Sequence, residues 1–218
     1  MKRIIAIGDI HGELDKLKSL IDKLDLRPDD QLVFLGDYID RGPDSKGVID
    51  FVLELQKNHD VVALKGNHED FAIQTMENPL GNMGGSWMMN GGMATLDSYG
   101  VGGFDALSNL ANFKEVHGGF LNSLKLVHET ENYIFVHGYL SANRSVEDQM
   151  QDDCLWSRFD QIQPHQSGKT VVCGHTIQYD GPVDEGFKIC IDTGSFKRDG
   201  YITAMVIEDH GYKFVDSR

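Results

Sequence analysis

The sequence predicts an α/β fold, and three observations carry that prediction. Apolar runs of strand length recur at residues 2–8, 31–35 and 61–64. The two stretches between them place apolar residues at helical spacing. Beyond Tyr133, runs rich in β-branched and aromatic residues follow one another, mostly joined by turns.

The first strand, Lys2 to Gly8, is too uniformly apolar to have a solvated face, which marks it as buried. Leu14, Leu17, Ile21 and Leu24 then fall on one face of a helix that Arg27-Pro28-Asp29-Asp30 breaks. Gln31 to Leu35 forms the second strand. Pro43-Asp44-Ser45 opens another helix, with Val48, Val52 and Leu55 inward and Lys57-Asn58-His59-Asp60 closing it. Val61 to Leu64 is the third strand. Two consecutive βαβ units imply parallel strands and right-handed crossovers. From Glu77 to Gly103 glycine, asparagine and methionine dominate, which reads as a loop-and-short-helix excursion, either a cap over a site or local packing. Phe113 to Leu126 reads as a helix. Tyr133–Val136, Thr170–Cys173, Phe187–Ile191, Tyr201–Ile207 and Tyr212–Val215 read as strands of a second sheet. Residues 1–218 are expected to form a single domain.

Composition narrows the function. With 40% hydrophobic and 25% charged residues the chain has a globular balance, and no run approaches a membrane span. Asp9 ends the first apolar run too soon for a signal peptide, so the expected compartment is the cytoplasm. Cys154, Cys173 and Cys190 are odd in number and lack any C-x-x-C pairing, so reduced thiols are expected. A net charge of −14 argues against nucleic acid as a partner, because a phosphate backbone needs a basic face.

Six side chains able to bind metal stand at or near the ends of the apolar runs: Asp9, His11, Asp37, Asn67, His137 and His175. Hard carboxylate and amide oxygens mixed with imidazoles, without thiolate, suit manganese, iron or zinc. Asp9 and His11 are two apart, so both can reach one ion. Asp37 and Asn67 follow after 28 and 30 residues, a βαβ repeat that returns the chain to the same sheet edge. Ligands bind beyond that edge in α/β sheets. The residues therefore point to a two-metal hydrolase.

Gly8-Asp9-Ile10-His11-Gly12, Gly36-Asp37-Tyr38-Ile39-Asp40-Arg41-Gly42 and Gly66-Asn67-His68-Glu69, in this order, closely resemble the signatures of the phosphoprotein phosphatases, a family of calcineurin-like metallophosphoesterases. The resemblance continues at Val136-His137-Gly138, Cys154–Arg158 and Cys173-Gly174-His175-Thr176, and the length is similar to that of small bacterial and phage protein phosphatases. It implies a four-layer α/β/β/α sandwich of two mixed sheets. It further implies two divalent ions, manganese first, with iron or zinc as alternatives. Asp9 and His11 would bind one ion, Asn67, His137 and His175 the other, and Asp37 would bridge them. The bridged pair would sit roughly 3.5–4 Å apart and present a shared hydroxide for in-line attack on phosphorus. Arg41, Arg158 and Asn67 would hold phosphate oxygens, the guanidinium forks bidentately. His68, oriented by Asp40, would protonate the leaving oxygen.

The ending Gly174-His175-Thr176-Ile177 lacks the second histidine of the Gly-His-x-His found in many phosphodiesterases, and Asp40-Arg41-Gly42 likewise resembles the phosphatase branch. Gly138 departs from the His-Ala-Gly of many relatives. The resemblance thus implies hydrolysis of phosphoserine and phosphothreonine in proteins, with phosphotyrosine as a further substrate. Expected partners are phosphorylated proteins or phosphorylated small molecules, without nucleic acid or membrane. A diadenosine tetraphosphatase shares the same motifs, and Trp87 and Tyr99 could stack its adenine. A metal-bound but inert phosphoprotein-binding module is the third alternative. Asp192-Thr193-Gly194 reads as a structural turn. His59, His117, His128, His165 and His210 lie outside the motifs and are expected at the surface. Gly168-Lys169-Thr170 is no P-loop, because position 163 is glutamine. No cysteine stands six residues before an arginine, as cysteine phosphatase chemistry would need.

Overall fold

The computed structural model describes residues 2–100, 106–158 and 162–218. The part of the glycine-rich excursion at 101–103 lies outside them. Three parallel strands, β1 (Ile4–Ile7), β2 (Gln31–Phe34) and β3 (Asp60–Ala63), alternate with helices α1 (Leu14–Leu24) and α2 (Ser45–Gln56). Asp44 starts α2 by accepting the Gly47 N–H at 2.7 Å, satisfying a donor that the first helical turn leaves open. Strands β9 (Thr203–Glu208) and β10 (Gly211–Asp216) complete this sheet in the order β10-β9-β1-β2-β3, with β9 antiparallel to β1. The second sheet runs β4 (Val127–Glu129), β5 (Tyr133–Val136), β6 (Thr170–Cys173), β8 (Lys188–Cys190), β7 (Val183–Asp184), with β5, β6 and β8 parallel.

The alternation of strand side chains sorts the core into layers. Ile5, Ile7, Leu32 and Phe34 pack with Leu17, Leu20, Val48 and Val52 of the helices. Their neighbours Ile4, Ala6, Val33 and Leu35 face Phe135, Val172 and Ile189 of the other sheet. Ile134, Val136, Val171 and Cys173 cover the outer side of the second sheet together with Cys154. Two mixed sheets lie face to face with helices against the first, the architecture expected of the calcineurin-like fold.

Local pattern and structure part company at several places. The last two strands, expected in the second sheet, return to the first. Helices α3 (Asn67–Glu77) and α7 (Gln151–Trp156) and the short strands β4 and β7 were not legible. Helix α6 spans Ala106–Ser123, so it begins earlier and ends earlier than the sequence suggested. The excursion is largely helical, with α4 (Asn82–Trp87), a π-helical turn Met88–Gly92 and α5 (Met93–Ser98). His117 and His165, expected at the surface, are buried. His117 meets the Tyr99 hydroxyl and Asp50, and His165 meets Ser167 and the Arg144 carbonyl, so both rings are satisfied inside. Among the described residues no helix is long and apolar enough to cross a membrane.

Candidate active site

All six donors predicted from the sequence follow the carboxyl ends of parallel strands, and both sheets contribute. Ile7 is in register with Phe34 and Phe34 with Ala63, so the turns bearing Asp9, Asp37 and Asn67 leave one edge together. In the second sheet Phe135 pairs with Val172, which brings His137 and His175 to the matching edge. Asp37 Oδ2 is 3.5 Å from the Nε2 atoms of both His11 and His137. Asn67 Oδ1 is 2.9 Å from His137 Nε2 and from His175 Nδ1. Donor atoms of His11, Asp37 and His68 form one tight group and those of Asp9, Asp37 and His137 another, with Asp37 common to both. Asp9 groups with His137 as well as preceding His11 on the same turn.

The donor chemistry fits cations. His137 Nδ1 faces the Leu35 carbonyl at 3.0 Å and His11 Nδ1 the Ile39 carbonyl at 2.9 Å, which places the ring proton on Nδ1 and leaves Nε2 as a lone pair. The His137 lone pair then points at the Asn67 carbonyl oxygen, acceptor against acceptor. Burial holds His11, His137 and His175 below the ordinary histidine range, His175 at about 3, so all three are neutral at pH 7. His175 Nε2 is buried without a partner. Burial, with the Asp192 and Asp37 carboxylates nearby, pushes Asp9 well above the usual carboxylate range. Converging lone pairs and crowded buried acids are relieved by divalent cations, whose charge reverses the local electrostatics.

The backbone here is strained in a way that singles out the site. Among the described residues six non-glycine positions have positive φ, and five of them are His11, Asp37, Asp40, Arg41 and His175. Each costs on the order of 1–2 kcal/mol relative to ordinary backbone. Gly66 allows the third turn to approach, since a Cβ there would lie 2.1 Å from Asp37 Oδ1. Glu69, quoted in the motif but given no role, ties these turns together. Its carboxylate accepts N–H bonds from Asp37, Tyr38 and Gly66 at 2.8–2.9 Å. A glutamate two residues into a helix, reaching back to the residue before it, is a capping signal that could have revealed this.

His68 Nδ1 lies 2.6 Å from Asp40 Oδ2, and its Nε2 faces Asp37 Oδ2 at 3.9 Å. Burial opposes the charged ring, but Asp37 and Asp40 outweigh it and raise His68 above its ordinary value. Arg41 donates to His11 Nε2 at 2.7 Å and lies over the Phe196 ring. It shares a cleft of about 380 Å³ with Arg158, His175, Tyr179 and Lys197. Asp192 Oδ1 accepts the Gly194 N–H, a turn closure, while also lying buried near Asp9. Trp87 and Tyr99 are buried, Trp87 on Asp40 and Tyr99 on His117, so neither offers a face to adenine.

The calcineurin-like phosphoesterase model matches residues 2–179, and the chain belongs to that family. It is a phosphoesterase hydrolase of a family that uses a dinuclear metal centre. It is similar to serine/threonine-protein phosphatase 2 of Escherichia coli (strain K12), 29% identical over 209 residues that cover 89% of this chain and 88% of that protein. It is 30% identical over 147 residues to a symmetrical bis(5'-nucleosyl)-tetraphosphatase of Nitrosospira multiformis, covering 66% of this chain and 46% of that one. A protein serine/threonine phosphatase structure from Saccharomyces cerevisiae shares the fold with a TM-score of 0.71 at 17% identity, over 98% of this chain and 79% of that one.

Proposed function

We propose that this chain is a metal-dependent phosphomonoesterase acting on phosphoserine and phosphothreonine in proteins, with phosphotyrosine as a further substrate. The observation that carries the reading is the Asp40···His68 hydrogen bond of 2.6 Å beside the shared donor Asp37, an acid held next to the metal ligands. Asp9, His11, Asp37, Asn67, His137 and His175 would hold two dications, with manganese the first choice. When bound, these ions neutralise phosphoryl oxygens and make water a nucleophile at neutral pH. Arg41 and Arg158, which line the same cleft, would grip phosphate oxygens there, while the Asn67 amide would donate to another. His68 Nε2–H then protonates the departing alkoxide, and Asp40 stabilises the resulting ring orientation. Three buried cysteines without a disulfide are consistent with a cytoplasmic location, which we include in the proposal.

The likeness to the Escherichia coli phosphatase along nearly the whole of both chains supports the protein substrate. The tetraphosphatase likeness favours a second reading, dinucleoside polyphosphate hydrolysis, although burial of Trp87 and Tyr99 removes the stacking faces proposed for it. Side-by-side kcat/KM for a phosphothreonine peptide and diadenosine tetraphosphate, with added manganese, separates the two. The peptide should be preferred; preference for the nucleotide reverses the assignment, and inactivity on both favours an inert binding module.

A further inference from the structure

We propose that the glycine-rich helical segment Asn82–Ser98 is a clamp on the Asp40–Arg41 turn, with Trp87 and Thr95 acting as positioning residues for His68. This rests on His68 being the general acid. Asp40 is fully buried, and its carboxylate receives far more than the histidine. The Trp87 indole N–H donates to Oδ2 at 2.8 Å and Oδ1 at 3.0 Å, and the Thr95 hydroxyl donates to Oδ1 at 2.6 Å. The Asp40 backbone N–H in turn donates to Ser45 Oγ and Thr95 Oγ1 at 3.0 and 2.9 Å. One residue on, the Arg41 N–H donates to the Gly91 carbonyl at 3.2 Å.

These contacts fix both ends of one device. Asp40 and Arg41 have left-handed φ values of 74° and 69°, a conformation that persists only where surroundings over-determine it. With Oδ1 and Oδ2 both pinned, the carboxylate plane cannot turn, and the His68 ring that bonds to it keeps Nε2 aimed at the site. Gly91 accounts for the glycine content. Its φ is 106°, and a Cβ there would lie 2.9 Å from the Arg41 nitrogen and 2.8 Å from Arg41 Cγ. The segment's polar atoms thus converge on the acid dyad while Trp87 and Leu96 anchor it in the core.

Leaving-group dependence distinguishes positioning from packing. Kinetics on the manganese-loaded full chain would compare phenyl phosphate, a poor leaving group, with p-nitrophenyl phosphate, a good one. Thr95→Val keeps the shape and removes the hydroxyl, and Trp87→Phe removes the indole donor. Each should lower kcat about tenfold on phenyl phosphate and less than about threefold on p-nitrophenyl phosphate, a part of what general acid catalysis contributes. KM and metal content should stay put, and Thr95→Ser should recover most of the loss. Gly91→Ala, acting on the Arg41 side, should raise KM on both substrates instead. Equal losses on the two substrates, or Thr95→Ser no better than Thr95→Val, overturn the clamp. His68→Asn measured alongside separates the layers. If it shows no leaving-group dependence the acid assignment fails; if it does and Thr95→Val does not, the clamp alone fails.

Discussion

Replacing Glu69 by glutamine tests how the turn bearing Asp37 is held. Glu69 is fully buried, with Oε1 accepting from Tyr38 and Ile39 at 2.8 and 3.3 Å and Oε2 from Asp37 and Gly66 at 2.9 Å each. Glutamine keeps one oxygen, so whichever way the amide turns, its NH2 faces two backbone N–H donors. A hydrogen bond to a charged group contributes about 1.5–3 kcal/mol, and losing two should cost about 3–6 kcal/mol. In a chain of this length that lowers Tm by on the order of 10 °C. The protonation state decides the outcome. Burial and the Asp37 carboxylate push Glu69 up to about 8 even though His68 and the N–H bonds from Gly66 and Asp37 pull it down, so ionisation at pH 7 depends on those donors. Because every contact on its two oxygens is a donor, a protonated acid would turn its own O–H against an N–H, so the four donors hold the carboxylate. Urea and thermal unfolding of metal-free Glu69→Gln at pH 7, with manganese titration by calorimetry, check this. A loss below about 1 kcal/mol would mean a neutral acid that glutamine mimics, and would refute a charged Glu69.

Asp37→Ala should leave a folded protein that retains at most one ion and no measurable turnover; two ions by elemental analysis would refute the shared-ligand role. Arg3 and Asp30 form a buried bidentate pair at 2.8 and 2.5 Å, and Asp30→Asn should cost about 3 kcal/mol by leaving Arg3 unpaired. Burial raises the Asp30 carboxyl, but Arg3 outweighs it and the net shift is downward. A depressed folded pKa gives stability that is complete above the unfolded value and lost as pH falls through the folded one. The difference between wild type and Asp30→Asn should therefore shrink below about pH 4. A difference constant from pH 3 to 6 by urea unfolding contradicts this.

The first sheet and its three donor turns were legible because buried parallel strands read as apolar runs, and two βαβ repeats fix where Asp9, Asp37 and Asn67 return. His137 and His175 were candidates as histidines at the ends of apolar runs, but they lie on the second sheet, and nothing in their local sequence says which edge they reach; the motif resemblance assigned them to the same site. The return of β9 and β10 to the first sheet is a pairing between distant segments that period-two patterning does not encode. Gly84, Gly85, Gly91 and Gly92 depress helix propensity across 82–98, yet contacts to Asp40 and Arg41 hold helices there, so tertiary structure overrode propensity. Glu69 was visible as a motif letter and its cap on Gly66 is local, but its hold on Asp37 and Tyr38 joins distant segments, which the sequence does not show.

Anomalous diffraction from a manganese-soaked crystal shows whether Asp37 joins two ions. Two peaks roughly 3.5–4 Å apart, one on either side of the Asp37 carboxylate, are the expected result. A single peak, or two that do not both contact Asp37, would contradict it.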